Sequence, residues 1–167
     1  MKKKLMLVSV LILSLVFSSY GATRTTRTST SRTRQLTVAQ YKEEVLEILT
    51  EIKRLEAMTS SVSPGDIAST LEIYEEIIPK LTPLYERLGS LNAPASLSRA
   101  QAKLKDGADA SLGLFKLSLE MFEILSTPPS DTSIQTRKMQ ELQKQTNEFR
   151  SKELDMGDAI EEIMDAN

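Results

Sequence analysis

From Val38 onward the apolar residues follow a helical rhythm. Val38, Tyr41, Val45, Ile48, Ile52 and Leu55 step by 3, 4, 3, 4 and 3 residues, which sets them in one stripe along a helix. Glu43, Glu44, Glu47, Glu51 and Arg54 lie off the stripe and read as a solvated face. Thr37-x-x-Gln40 has the form of a capping box, and Leu36 and Tyr41 stand where a hydrophobic staple needs them. A first helix is therefore expected over 37–58.

The segment TSSVSPGD, Thr59 to Asp66, interrupts the rhythm. Ser63 reads as an N-cap with Pro64 at the first helical position, where a missing N–H costs nothing. Ile67, Leu71, Tyr74, Ile78, Leu81, Tyr85 and Leu88 then form the next stripe, predicting a second helix over 64–91. Pro79 and Pro83 fall inside it, depriving the carbonyls of Glu75 and Pro79 of donors. Both prolines lie off the stripe, where water can replace those donors. One bent helix is expected, with a complete break as the alternative.

After LNAP, Leu91 to Pro94, a third helix is expected over 95–125. Its first half is rich in small residues that allow close helix approach: Ala100, Ala102, Gly107, Ala108, Ala110 and Gly113. Its second half carries two apolar stripes, Leu112, Phe115, Leu119, Phe122 and Leu114, Leu117, Met121, Ile124. One stripe suffices for a simple bundle. The second fits a more central helix, a self-association face or a groove for an apolar ligand, and Leu114, Leu117 and Met121 form the candidate interaction surface. Pro128-Pro129 ends this helix.

A fourth helix follows over 132–165, its stripe running Met139, Leu142, Thr146, Phe149, Glu153, Met156, Ile160, Ile163. Glu153 is the misfit. Turned inward, its carboxyl would be perturbed and its pKa raised; alternatively Leu154 rotates in and Glu153 stays wet. Beyond Lys152 the chain has six acids and no base, opposing the helix dipole. Either this end frays or a cation compensates it. Four such segments with short linkers predict an all-α, antiparallel up-down-up-down four-helix bundle.

The N-terminus changes the picture of where this bundle resides. Met1-Lys2-Lys3-Lys4, the uncharged run Leu5–Phe17 and the small residues Ser19 and Gly21 have the form of a secretory signal peptide cleaved after Gly21. An uncleaved anchor is the alternative, although thirteen apolar residues are short for a span. The expected organisation is a signal peptide, 1–21, an Arg/Thr/Ser-rich disordered arm, 22–35, and the bundle domain, 36–167. Past Gly21 there are 18 basic and 23 acidic residues, net −5. Setting aside Arg24, Arg27, Arg32 and Arg34 of the arm leaves 14 against 23, or −9. The arm is a candidate electrostatic contact for an anionic envelope component or for the chain's own acidic last turn, Asp155 to Asp165, with a solvated spacer as the alternative, and the acidic body argues against nucleic acid.

The chain contains no His, Cys or Trp. That removes Cys/His nucleophile sites, Ser-His-Asp triads, His- or Cys-based zinc sites, and the haem and di-iron centres of other bundles. Five methionines of the expected mature chain (58, 121, 139, 156 and 164) are scattered and read as core. No glycine-rich phosphate loop is present. Carboxylate-only catalysis survives in principle, but no acid pair stands out, so no catalytic, metal or cofactor residue is assigned.

The segment LGSLNAPASLSRAQAKLKDG, Leu88 to Gly107, resembles a pattern in exported bacterial helical-bundle proteins of unknown function. Leu88, Leu91, Pro94, Leu97, Ala100, Leu104 and Gly107 carry the resemblance, which covers 20 of 167 residues. Those proteins often have a histidine where this chain has Gln101, and the resemblance implies no activity. The reading is of a secreted or periplasmic, non-catalytic interaction module whose partner is a protein, an envelope component or a second copy of itself. It does not span the membrane after processing. The alternative is a carrier of an apolar small ligand in a pocket beside the third helix.

Overall fold

Why the first helix starts where it does is visible atom by atom. In the computed structural model, which describes residues 36–63, 65–127 and 131–167, Thr37 Oγ1 accepts from Gln40 N at 3.3 Å, and Gln40 Oε1 accepts from Thr37 N at 3.2 Å. Two orphan N–H groups are thereby satisfied. Helix α1 spans Val38–Thr59, α2 Ile67–Ser90, α3 Ser98–Ser126 and α4 Thr132–Asp165. A single 3₁₀ turn, Ala95–Leu97, leads into α3. All described residues belong to one compact unit, and none of them is in a strand. The expected signal peptide, the expected arm with its four arginines, Pro64 and the expected Pro128-Pro129 stop lie outside the described residues.

The α1 stripe is core: Tyr41, Val45, Ile48, Ile52 and Leu55 are all but inaccessible to solvent. Each such side chain stabilises the fold by roughly 1.5–3 kcal/mol through burial. The start of α2 corrects the expectation of a Ser63 cap. The helix begins at Ile67, capped by Asp66, whose carboxylate accepts from Ser69 N at 3.1 Å. Gly65 has φ +96°, incompatible with a right-handed first turn, so no helix can run from residue 64 through it. Pro79 and Pro83 are exposed inside a continuous α2. Ile77, not Ile78, is the buried residue of that turn.

Small residues bring α3 onto α4. A Cβ at Gly107 would lie 2.2 Å from Met156 Cβ, and one at Gly113 2.7 Å from the Phe149 ring. Ala100, Ala108 and Ala110 are buried as expected, whereas Ala102 points to solvent. In α4 the half-buried Thr146 satisfies its hydroxyl on Leu142 O at 2.8 Å. The acidic end of α4 does find a cation: Lys42 Nζ of α1 donates to Met164 O at 2.6 Å. At the same end of the molecule, Gln101 Nε2 donates to Leu88 O and Gly89 O at 3.1 and 3.0 Å. These are last-turn carbonyls of α2 that no helical N–H reaches. Tyr41 donates its hydroxyl to the amide oxygen of Gln101, and burial pushes this phenol up to about 12.

Candidate functional site: a polar layer and an uncovered stretch of helix three

One turn from the end of α1 the apolar interior is interrupted. Glu56 of α1, Tyr85 of α2, Ser111 of α3 and Glu153 of α4 meet there, one from each helix. The Tyr85 hydroxyl donates to Glu56 Oε1 at 2.7 Å. Burial pushes the Glu56 carboxyl up to about 6, against the opposing effect of the Tyr85 hydrogen bond; the nearby Glu153 raises it further and Lys53 lowers it. Burial likewise raises Glu153, partly offset by Arg150. Tyr85 is held well above the usual phenol range by burial and by both carboxylates. Ser111 is 3% exposed. Its Oγ lies near enough to the Tyr85 hydroxyl to affect its acidity, yet makes no hydrogen bond of acceptable geometry.

Of the two readings of α4, the inward-facing one describes the fold: Glu153 is half-buried and Leu154 is 61% exposed. The sequence reading missed the other three members of the layer. Tyr85 counts as apolar in a periodic stripe, Glu56 sits beside the stripe residue Leu55, and Ser111 is a small residue among small residues. Burial thus raises two carboxyls of this layer, Glu56 on α1 and Glu153 on α4.

The layer also marks how far α1 reaches. Tyr41 meets Gln101 near the start of α3, and Glu56 meets Tyr85, beside which Ser111 of α3 lies, so these turns of α1 and α3 stand level although the two helices pack little on each other. Helix α1 then ends three residues after Glu56, whereas α3 continues fifteen residues past Ser111. The difference is about 18 Å of α3 beyond the end of α1. That stretch is the doubly striped one. Tyr74 of α2 packs on Phe115 and Phe122, with ring centroids 5.8 and 5.4 Å away, and so covers the first stripe.

The second stripe continues the register of Gly107 and Ala110, which places it toward α4. Opposite it, the first half of α4 offers only Ile134, Met139 and Leu142 as large apolar residues. Coverage is accordingly incomplete: Leu114, Leu117 and Met121 are all half-buried, and Ile134 is 39% exposed. On the same half of α4 a shallow depression of about 400 Å³ is lined by Gln135, Thr136, Met139, Gln140 and Gln143. Among the described residues there is no cluster of three or more acids suited to a metal ion, and no helix is long and apolar enough to cross a membrane. No family model, curated protein or solved structure matches the chain.

Proposed function

We propose that this protein is an exported, non-catalytic interaction module that receives an apolar helix or strip of a partner protein along the distal half of α3. The observation that carries this reading is the half-burial of Leu114, Leu117 and Met121 on the stretch that α1 leaves uncovered. An amphipathic partner helix seated there would complete the coverage that a fourth helix normally supplies. A second copy of the chain is one such partner. The carrier reading needs an enclosed apolar pocket, and the depression on α4 is shallow and open to solvent.

The bundle is read as up-down-up-down. Its support is that Lys42 near the start of α1 touches the end of α4, and that Gln101 at the start of α3 touches the end of α2. Export rests on the Lys-rich start, the apolar run and the small residues Ser19 and Gly21. An intact mass beginning at Ala22 is expected for the secreted or periplasmic form; a membrane-retained product still carrying residues 1–21 rejects it. The arginine arm is proposed to contact an anionic envelope surface, where each basic residue contributes about 1 kcal/mol. Mature protein should bind anionic vesicles at low salt, and a form starting at Gln35 should not; equal binding by both removes the arm from the account.

The interaction face is tested by changing Leu114, Leu117 and Met121 together to Ser. The variant should stay helical by circular dichroism and lose a partner that the parent captures from its native envelope. Undiminished capture of the same partner rejects this face.

A further inference from the structure

Four features of the molecule bear on how α1 is held. It packs chiefly on α2, without the extensive pairing that joins α3 to α4. At its start it is tied by Lys42 to Met164 O and by Tyr41 to Gln101. At its far end the tie is Glu56, held by the Tyr85 hydroxyl and facing a second carboxylate, Glu153, on the opposite helix. Ser111, almost wholly buried beside this pair, has an unused hydroxyl.

We propose that Glu56, Tyr85, Ser111 and Glu153 form a proton-operated latch that holds the end of α1 on the bundle when a proton resides on the carboxylate pair and loosens it when both carboxylates are ionised. The charge balance decides the direction. The groups facing the pair are Lys53 and Glu56 from α1, Tyr85 and Tyr74 from α2, Ser111 from α3, and Arg150 and Glu153 from α4. The cations moderate the repulsion, but both carboxyls still lie on the raised side. Two like charges across a partly dehydrated interface are relieved by separation or by protonation. Separation is available because α1 ends three residues beyond Glu56. Protonation turns one acid from an acceptor into a donor and removes one of the two like charges.

The sign follows from linkage. Glu56 titrates near 6 in the closed state, against 4.5 for an exposed glutamate. The closed state therefore binds the proton more tightly, and closure is favoured as pH falls. From Glu56 alone, opening of the α1 end should increase about twentyfold between pH 4 and pH 8.

Hydrogen exchange of the exported form, corrected for intrinsic rates, tests this. Amides of α1 from Leu49 to Met58 should lose protection about twentyfold across that range, while those of α4 near Ile160 serve as the internal reference. Glu56→Gln should keep α1 protected at pH 8 and flatten the dependence. Tyr85→Phe removes the donor that favours the charged carboxylate, so its opening midpoint should move to higher pH. A merely structural role for Tyr85 would weaken protection without moving the midpoint. Protection of α1 that is independent of pH overturns the latch, as does an unchanged dependence in Glu56→Gln.

Discussion

Gly107→Ala paired with Gly157→Ala probes the seam that holds the two longest helices together. Both glycines lie inside helices, so each substitution gains about 1 kcal/mol of helix propensity. Their surroundings differ. A Cβ at Gly157 meets nothing within 4 Å, while one at Gly107 would fall 2.2 Å from Met156 Cβ, 2.8 Å from its Cγ and 3.0 Å from Lys152 O. Ordinary carbon contact needs about 3.5–4.0 Å, and the first obstacle is a Cβ and the third a backbone oxygen, neither of which rotates away. Helix α4 must move outward, which loosens Met156 and Ile160 in the core. Overpacking of this kind costs about 1–3 kcal/mol.

The propensity gain cancels in the comparison, so Gly157→Ala should exceed Gly107→Ala in stability by about 1–3 kcal/mol. In a domain of this size that corresponds to roughly 2–10 °C in melting temperature. Urea denaturation of the chain from Ala22 onward, followed by circular dichroism, gives the free energies directly. Gly107→Ala as stable as Gly157→Ala would refute the close approach of α3 and α4.

Glu56→Gln removes a buried titration: at pH 7.5 the variant should be more stable than the parent by up to about 2 kcal/mol, and the difference should vanish below pH 4.5, where both forms are neutral. A constant difference across pH would assign the gain to packing. Gln101→Ala strips the donor from Leu88 O and Gly89 O and orphans the Tyr41 hydroxyl; a loss of about 1–3 kcal/mol is expected in urea titration. Pro79→Ala, at an exposed position inside a continuous α2, should be neutral or stabilise by up to about 3 kcal/mol, and a clear loss would mean that the proline shapes the helix.

Local chemistry made part of this fold legible. The Thr37–Gln40 box and the start of α4 at Thr132 follow from residues within one turn of the boundary. The start of α2 was misread because two local signals competed: Ser63-Pro64 has a favourable form, but the positive φ at Gly65 hands the cap to Asp66. The exchange of Ile78 for Ile77 has the same flavour, since a stripe stepping by threes and fours can slip by one residue next to a proline. The polar layer was legible only at Glu153, where a charge breaks a stripe. Its partners come from three other helices, with Tyr85 and Glu56 separated by 29 residues, and helical periodicity carries no information about which turns of different helices stand level. The same applies to the uncovered part of α3. Its excess of apolar residues is in the sequence, but the reason they stay half-exposed is the polarity of α4's first half, which helical periodicity within α3 does not reveal.

The most direct measurement of the proposed interaction role is site-specific photo-crosslinking in the protein's native cells. A benzophenone side chain replaces Leu117, on the half-buried stripe, or Glu86, on the exposed outer face of α2. The account predicts a discrete adduct of defined mass from position 117 and none from position 86. Adducts of equal yield at both positions, or none at position 117, would contradict it.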